Sequence, residues 1–562
     1  DQRLYTVAME TAWRASTDVT EEHTGQRIGA DSALAAFRGS PYVIETSRRF
    51  LDTRKDGLSN LEFRQLDKIL LNAAESPGTA PDIVRRRVEA EARLGAILDG
   101  FTFCLEWRGQ SCLKAVTPNR IDEVLRASAD LAERRRYWEV SKQAGPALKQ
   151  GLAELRDLRN QVARQLGYTS YFHLQVADYG MSVAEMMKLM EETVAAVKPL
   201  YDRLHRFARE RLAERYRQSV PEKIPAHWLA NRWGQAWPGL VESVDLDPLV
   251  RRHPPEWIPR QAERFYVSLG MEPLPPSFWS RSDLYELAAG SRRRKNTHAS
   301  AWHIDRDRDV RCLMSIAPSF RWFETAHHEL GHIYYYLAYS NPAVPHVLRE
   351  GLNRSFHEAF GELAGMAARR PAYLRAIGLL PQESDLDARQ LLLGEALDDA
   401  VVFIPFAAGV MTRFEYELYE KELPVSQFNR RWWELVDEYQ GIVPPSMRGE
   451  EFCDACTKTH IIDDPAQYYD YALAALLKYQ LHLHIARDIL KQDPRNANYY
   501  GSRDAGQWLL GILRLGATRD WRDVLRELTG ERVSPAALLE YFEPLKAILE
   551  EEAQRRSRAA AI

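Results

Sequence analysis

The sequence has no apolar run long enough to cross a bilayer. Its best candidate, residues 400–412 (AVVFIPFAAGVMT), falls short of the ~20 residues a spanning helix needs and contains a proline. It reads as a buried helix. Nor does one sign of charge dominate. There are 75 Lys and Arg against 79 Asp and Glu, a formal net charge of −4. A dedicated nucleic-acid binder usually carries a basic excess or stripe, so that class is disfavoured. The single basic run, SRRRK at 291–295, is isolated and reads as a solvated loop rather than a phosphate site.

Cysteine is scarce, with five in 562 residues. Cys453 and Cys456 form one CxxC. A structural zinc site needs four ligands and no second pair exists, and the βαβ setting of a redox CxxC is missing. Cys312 has no partner in the sequence and reads as a small core residue. Cys104 and Cys112 flank CLEWRGQSC, whose Arg-Gly-Gln centre suggests a hairpin turn. A disulfide across that hairpin and two half-buried thiols are equally compatible with this spacing.

The remaining pattern is helical. Residues 82–97, 121–131, 152–166 and 183–212 each alternate a charged and an apolar face, and Pro199 is expected to kink the last. Strand-like alternation is limited to 101–105 with 112–116, and to 310–316. No internal repeat or low-complexity linker occurs, and the tail from 554 is expected to fray. The fold class is therefore all-α, with a few short strands.

Residues 325–337 read TAHHELGHIYYYL and contain HExxH as His328-Glu329-Leu330-Gly331-His332. At i and i+4 on a helix both imidazoles share one face and can meet one ion, with Glu329 beside them to polarise a metal-bound water. His327 points about 100° away and defaults to a structural role. A catalytic zinc needs a third protein ligand. Glu358, 26 residues after His332, is one candidate; the same residue also fits a capping box, Ser355-x-x-Glu358. Glu362, one turn on, could accept a hydrogen bond from a ligand histidine or face solvent.

HHELGHIYYYL followed by EGLNRSFHEAFGE resembles the zinc core of the angiotensin-converting enzyme family of peptidyl-dipeptidases. Further matches follow in order: LRNQVARQLG (158–167), IPAH (224–227), WGQAW (233–237), THASAW (297–302), Trp432-Trp433, YQGI (439–442) with Pro444-Pro445, and Lys458-x-His460. The resemblance implies a helical ellipsoid of two halves with a deep central groove, and residues 1–562 as one catalytic domain. It implies one zinc ion held by His328, His332 and Glu358, with Glu329 as base. It assigns Tyr471 and His460 to the oxyanion, Gln235, Lys458 and Tyr468 to the substrate's C-terminal carboxylate, and His298, His460, Ala299 and Ala301 to its backbone. The substrates implied are oligopeptides with a free C-terminal carboxylate. CLEWRGQSC resembles a disulfide hairpin of the family, which favours a Cys104–Cys112 bond.

The sequence also departs from that pattern. Glu362 stands where an aspartate is expected. Asp470 and Val436 stand where the family has chloride-binding arginines, and an acidic or apolar side chain does not hold an anion. Little or no chloride activation is expected. The spacers His332–Glu358 and Lys458–Tyr468 are two residues and one residue longer than expected. The one sequon, Asn353-Arg-Ser355, adjoins the third ligand, where a glycan is hard to place. Asp1 without a leader suggests a processed or trimmed chain. The expectation is a bacterial, single-domain enzyme, secreted or periplasmic after removal of a signal peptide. Two rivals stand beside it: another helical HExxH carboxypeptidase or oligopeptidase, and a catalytically silent peptide-binding relative.

Overall fold

The computed structural model describes residues 1–241, 245–288, 290–296, 298–384, 386–398 and 400–560. Thr297, the first residue of the THASAW match, lies outside them. The chain divides into two compact units. One comprises Asp1–Thr79, Val244–Leu386 and Leu473–Val533; the other comprises Ala80–Ser243, Asp387–Ala472 and Ser534–Ile562. Both are helical, as the periodicity requires. No helix among the described residues is long and apolar enough to cross a membrane.

In the first unit, four helices from Gln2–Thr17 to Asn60–Ala74 precede a three-stranded sheet. Its middle strand is Val310–Ile316, at the bounds the alternation predicts, paired antiparallel to Ser300–His303 and parallel to Asp283–Tyr285. Ser300–His303 therefore lies at a sheet edge. The chain then enters the long helix Phe320–Tyr339, started by Ser319, whose hydroxyl accepts from Trp322 N. Helix Arg354–Ala368 packs against it at two glycines. A Cβ at Gly331 would lie 3.1 Å from Gly361 Cα, and one at Gly361 would lie 3.0 Å from Cε1 of both His328 and His332. Larger residues would force the helices apart and displace both imidazoles.

The second unit is built around helices Pro81–Asp99, Gly145–Arg164 and Val183–Tyr216. The last runs for 34 residues with Pro199 inside it, where the ring nitrogen has no hydrogen to donate to the preceding turn. The helix expected at 121–131 is two helices, Pro118–Ala127 and Leu131–Val140. Asp130 starts the second by accepting from Ala132 N at 2.9 Å. The buried run near 400 contains a π-helix, Pro405–Met411, leading into helix Thr412–Tyr419. The tail expected to fray is helical in Leu545–Ala560; the last two residues lie outside the description.

The hairpin strands are Phe103–Arg108 and Ser111–Val116, turning at Gly109 with φ +62°. Cys104 and Cys112 are bonded, with Cα atoms 5.8 Å apart. Cys453 and Cys456 are also bonded, which their sequence did not specify. Cys312 is buried and free. Closing so short a loop is worth about 2–3 kcal/mol by chain entropy. Cys104→Ser with Cys112→Ser should lower Tm by a few degrees in a thermal melt. The expected solvated loop at 291–295 is solvated only in part. Lys295 Nζ is buried against Asp283 Oδ1 at 2.8 Å and Met314 O at 2.6 Å, pinning the loop to the sheet.

Candidate metal centre and substrate-reading residues

His328 and His332 project from one face of Phe320–Tyr339, and their Nε2 atoms lie 3.1 Å apart. Glu358, in the second turn of Arg354–Ala368, brings Oε2 to 3.7 Å from His328 Nε2 and 3.9 Å from His332 Nε2. These donors are the described group able to hold a metal ion. Ligands at 2.0–2.1 Å around a tetrahedral ion stand roughly 3.3 Å from one another. The observed separations bracket that value, so the donor set fits zinc with modest adjustment of Glu358.

The capping-box alternative for Glu358 fails because the helix starts elsewhere. Asn353 is the N-cap, its side chain accepting from Phe356 N at 2.8 Å. That leaves the Glu358 carboxylate available to an ion. It also takes the sequon asparagine into a buried cap, where a glycan has no room.

Glu329 is buried beside the histidines. Burial raises its affinity for a proton; His328 opposes this, Glu358 adds to it, and His298 opposes it. His327 is structural, as its position implied. Its Nδ1 faces Phe323 O at 2.7 Å and its Nε2 faces the Tyr373 hydroxyl at 2.9 Å. Burial holds it neutral, with a pKa lowered to about 4.

His357 was missed by the sequence reading. Its Nδ1 lies 2.7 Å from His332 Nδ1, and its ring stacks on that of Tyr335, with ring centres 4.6 Å apart. It thereby sets the orientation of the His332 ring. The one available signal was its place next to Glu358. Glu362 Oε2 lies 3.0 Å from the buried Lys478 Nζ, an ion pair that takes part of its charge. His298 is exposed and Ala299 half-buried; Ala301 sits in the edge strand, its carbonyl accepting from Tyr336 OH at 3.3 Å.

The remaining predicted residues belong to the second unit, where they also gather. Lys458 Nζ donates to Gln235 Oε1 at 2.8 Å and lies 5.3 Å from the ring centre of Tyr468. The Tyr468 ring is 5.1 Å from that of His460 and 5.0 Å from that of Tyr471. Lys458 is buried, which lowers its pKa to about 7, with Arg232 adding to the shift. Asp470 is fully buried and accepts from Tyr179 OH at 2.6 Å; Val436 is buried and apolar.

Two histidines one helical turn apart, a glutamate between them and a second glutamate from the crossing helix define a metallopeptidase-type centre in an all-α frame. The chain belongs to the angiotensin-converting enzyme family of M2 peptidases, whose sequence model matches residues 1–560. It is 34% identical to the angiotensin-converting enzyme-related protein of Drosophila melanogaster over 81% of this chain and 74% of that protein. It is 29% identical to the angiotensin-converting enzyme of Haematobia irritans exigua, over 97% and 90%. The rat angiotensin-converting enzyme is also 29% identical over 97% of this chain, which spans 42% of the rat protein.

Proposed function

We propose that this chain is a zinc-dependent dipeptidyl carboxypeptidase, with residues 1–562 acting as one catalytic domain. The observation that carries the reading is Lys458. Its buried ammonium is hydrogen-bonded to a neutral amide rather than to a carboxylate. A buried cation without a counter-ion is costly, and a peptide's terminal carboxylate supplies one. Gln235 and Tyr468 add neutral hydrogen-bonding groups around the same place.

His328, His332 and Glu358 hold the zinc ion in this reading. When bound, zinc polarises the scissile carbonyl and acidifies water. Glu329 takes the proton of the attacking water and passes it to the leaving amine. Tyr471, with His460, donates to the developing oxyanion. His298 and His460 hold the backbone of the departing dipeptide. Ala299 and Ala301 pair with extended peptide, a role supported by the edge position of Ser300–His303. Glu362 steadies a ligand histidine. The two disulfides support an exported, oxidising setting, extracellular or periplasmic.

A chelator should abolish hydrolysis of peptides with free C-termini, and one zinc ion per chain should restore it. Activity that survives complete metal removal would end this reading. Chloride is expected to change little. Asp470 already occupies the Tyr179 hydroxyl with a carboxylate, and Val436 offers no charge. Initial rates at fixed ionic strength should stay within about twofold as chloride replaces acetate; a steep rise would show an anion site that these residues do not explain.

A further inference from the structure

Glu415 lies in the first turn of helix Thr412–Tyr419, and its side chain is fully buried. No cation is hydrogen-bonded to it among the described contacts. Its carboxylate instead faces the backbone of the segment between helices Thr459–Asp463 and Tyr469–His484. Oε1 accepts from Ala466 N at 2.7 Å, and Oε2 accepts from Tyr468 N at 3.4 Å. Ala466 is itself buried and adopts a left-handed conformation, φ +61°, that an alanine rarely takes without support.

The residues this segment delivers are Tyr468 and, through Tyr471 N donating to Tyr468 O at 3.3 Å, Tyr471. Asp470 N donates to Gln467 O at 2.8 Å, so the start of the next helix is tied to the same turn. A buried carboxyl group is costly to desolvate, and the folded state keeps this one. Burial pushes its pKa up to about 8, against the pull of the two backbone N–H groups; nearby Asp464 adds to the rise and Arg159 opposes it. An apolar residue would fill the space without that cost. What it would not do is hold two N–H groups and a left-handed alanine in place.

We infer that Glu415 is a positioning residue for substrate recognition: it clamps the Ala466 turn so that Tyr468 meets the substrate's C-terminal carboxylate and Tyr471 keeps its place behind it. The inference rests on the proposed carboxylate-reading role of Lys458, Gln235 and Tyr468.

The test compares wild type, Glu415→Gln and Lys458→Ala, all zinc-loaded. It uses an N-blocked peptide with a free C-terminus and its C-terminal amide. Glutamine keeps the shape and one acceptor, so folding and zinc content should be retained. The amides of Ala466 and Tyr468 should exchange at least tenfold faster in Glu415→Gln. Its kcat/KM on the free acid should fall tenfold or more, chiefly through KM, with the amide changed less than threefold. Unchanged amide exchange would overturn the clamp. Faster exchange with a wild-type acid-to-amide ratio, where Lys458→Ala does change that ratio, would overturn the positioning role alone. If Lys458→Ala leaves the ratio unaltered, the carboxylate-reading proposal fails and takes this inference with it.

Discussion

Glu329→Gln should leave a folded, zinc-loaded protein whose kcat is lower by about 10³-fold, within the range lost when a general acid–base group is removed. Glutamine has nearly the shape of glutamate, so the turn that presents His328 and His332 should be unchanged. What disappears is the ability to take a proton. Glu329 is buried among groups that push its proton affinity both ways: burial and Glu358 raise it, and His328 and His298 lower it. A carboxyl in that setting can accept a proton and give it back, and an amide cannot. KM should move much less than kcat, because no assigned carboxylate- or backbone-binding residue is touched. Steady-state kinetics with parallel metal analysis checks this. A loss below tenfold at full zinc occupancy would remove Glu329 from the chemistry. If wild type and variant were equally inactive on many peptides, a silent binding protein would become the better account.

Lys458→Ala should lower kcat/KM for free-acid peptides by about 10²-fold or more and for the corresponding amides far less. The contrast follows from charge. The Lys458 ammonium is buried with a neutral partner, so a substrate carboxylate gains an attraction that an amide does not. pH provides a second check. The pKa of Lys458 is lowered to about 7, so in the free enzyme its charge is present below that pH and fades as pH rises through it. The acid-to-amide preference should therefore weaken above about pH 7 in wild type and be flat with pH in Lys458→Ala. An equal loss on acid and amide would mean that Lys458 does not read the carboxylate.

What the sequence could convey depended on how local the cause was. The HExxH spacing is a property of one helix, so the pairing of His328 with His332 was readable directly, as was the structural default for His327. The role of Glu358 was ambiguous because it hinged on where a helix starts. The cap is Asn353 rather than Ser355, a two-residue difference that periodicity does not resolve. His357 is invisible to spacing because its partner is set by the crossing of two helices at Gly331 and Gly361. Lys295 was read as solvated from its basic neighbours, whereas its acceptors lie on the strands of the adjacent sheet. Glu415 sits in a helix whose pattern offers no reason for a buried acid. Its acceptor role depends on backbone 51 and 53 residues further along the chain.

Dipeptidyl carboxypeptidase activity is tested most directly by the first product released from an N-blocked tetrapeptide with a free C-terminus, identified by mass at low conversion. The C-terminal dipeptide and the blocked N-terminal dipeptide are expected, with no free amino acid at early times. Single amino acids appearing first would contradict it and make the chain a carboxypeptidase of another kind.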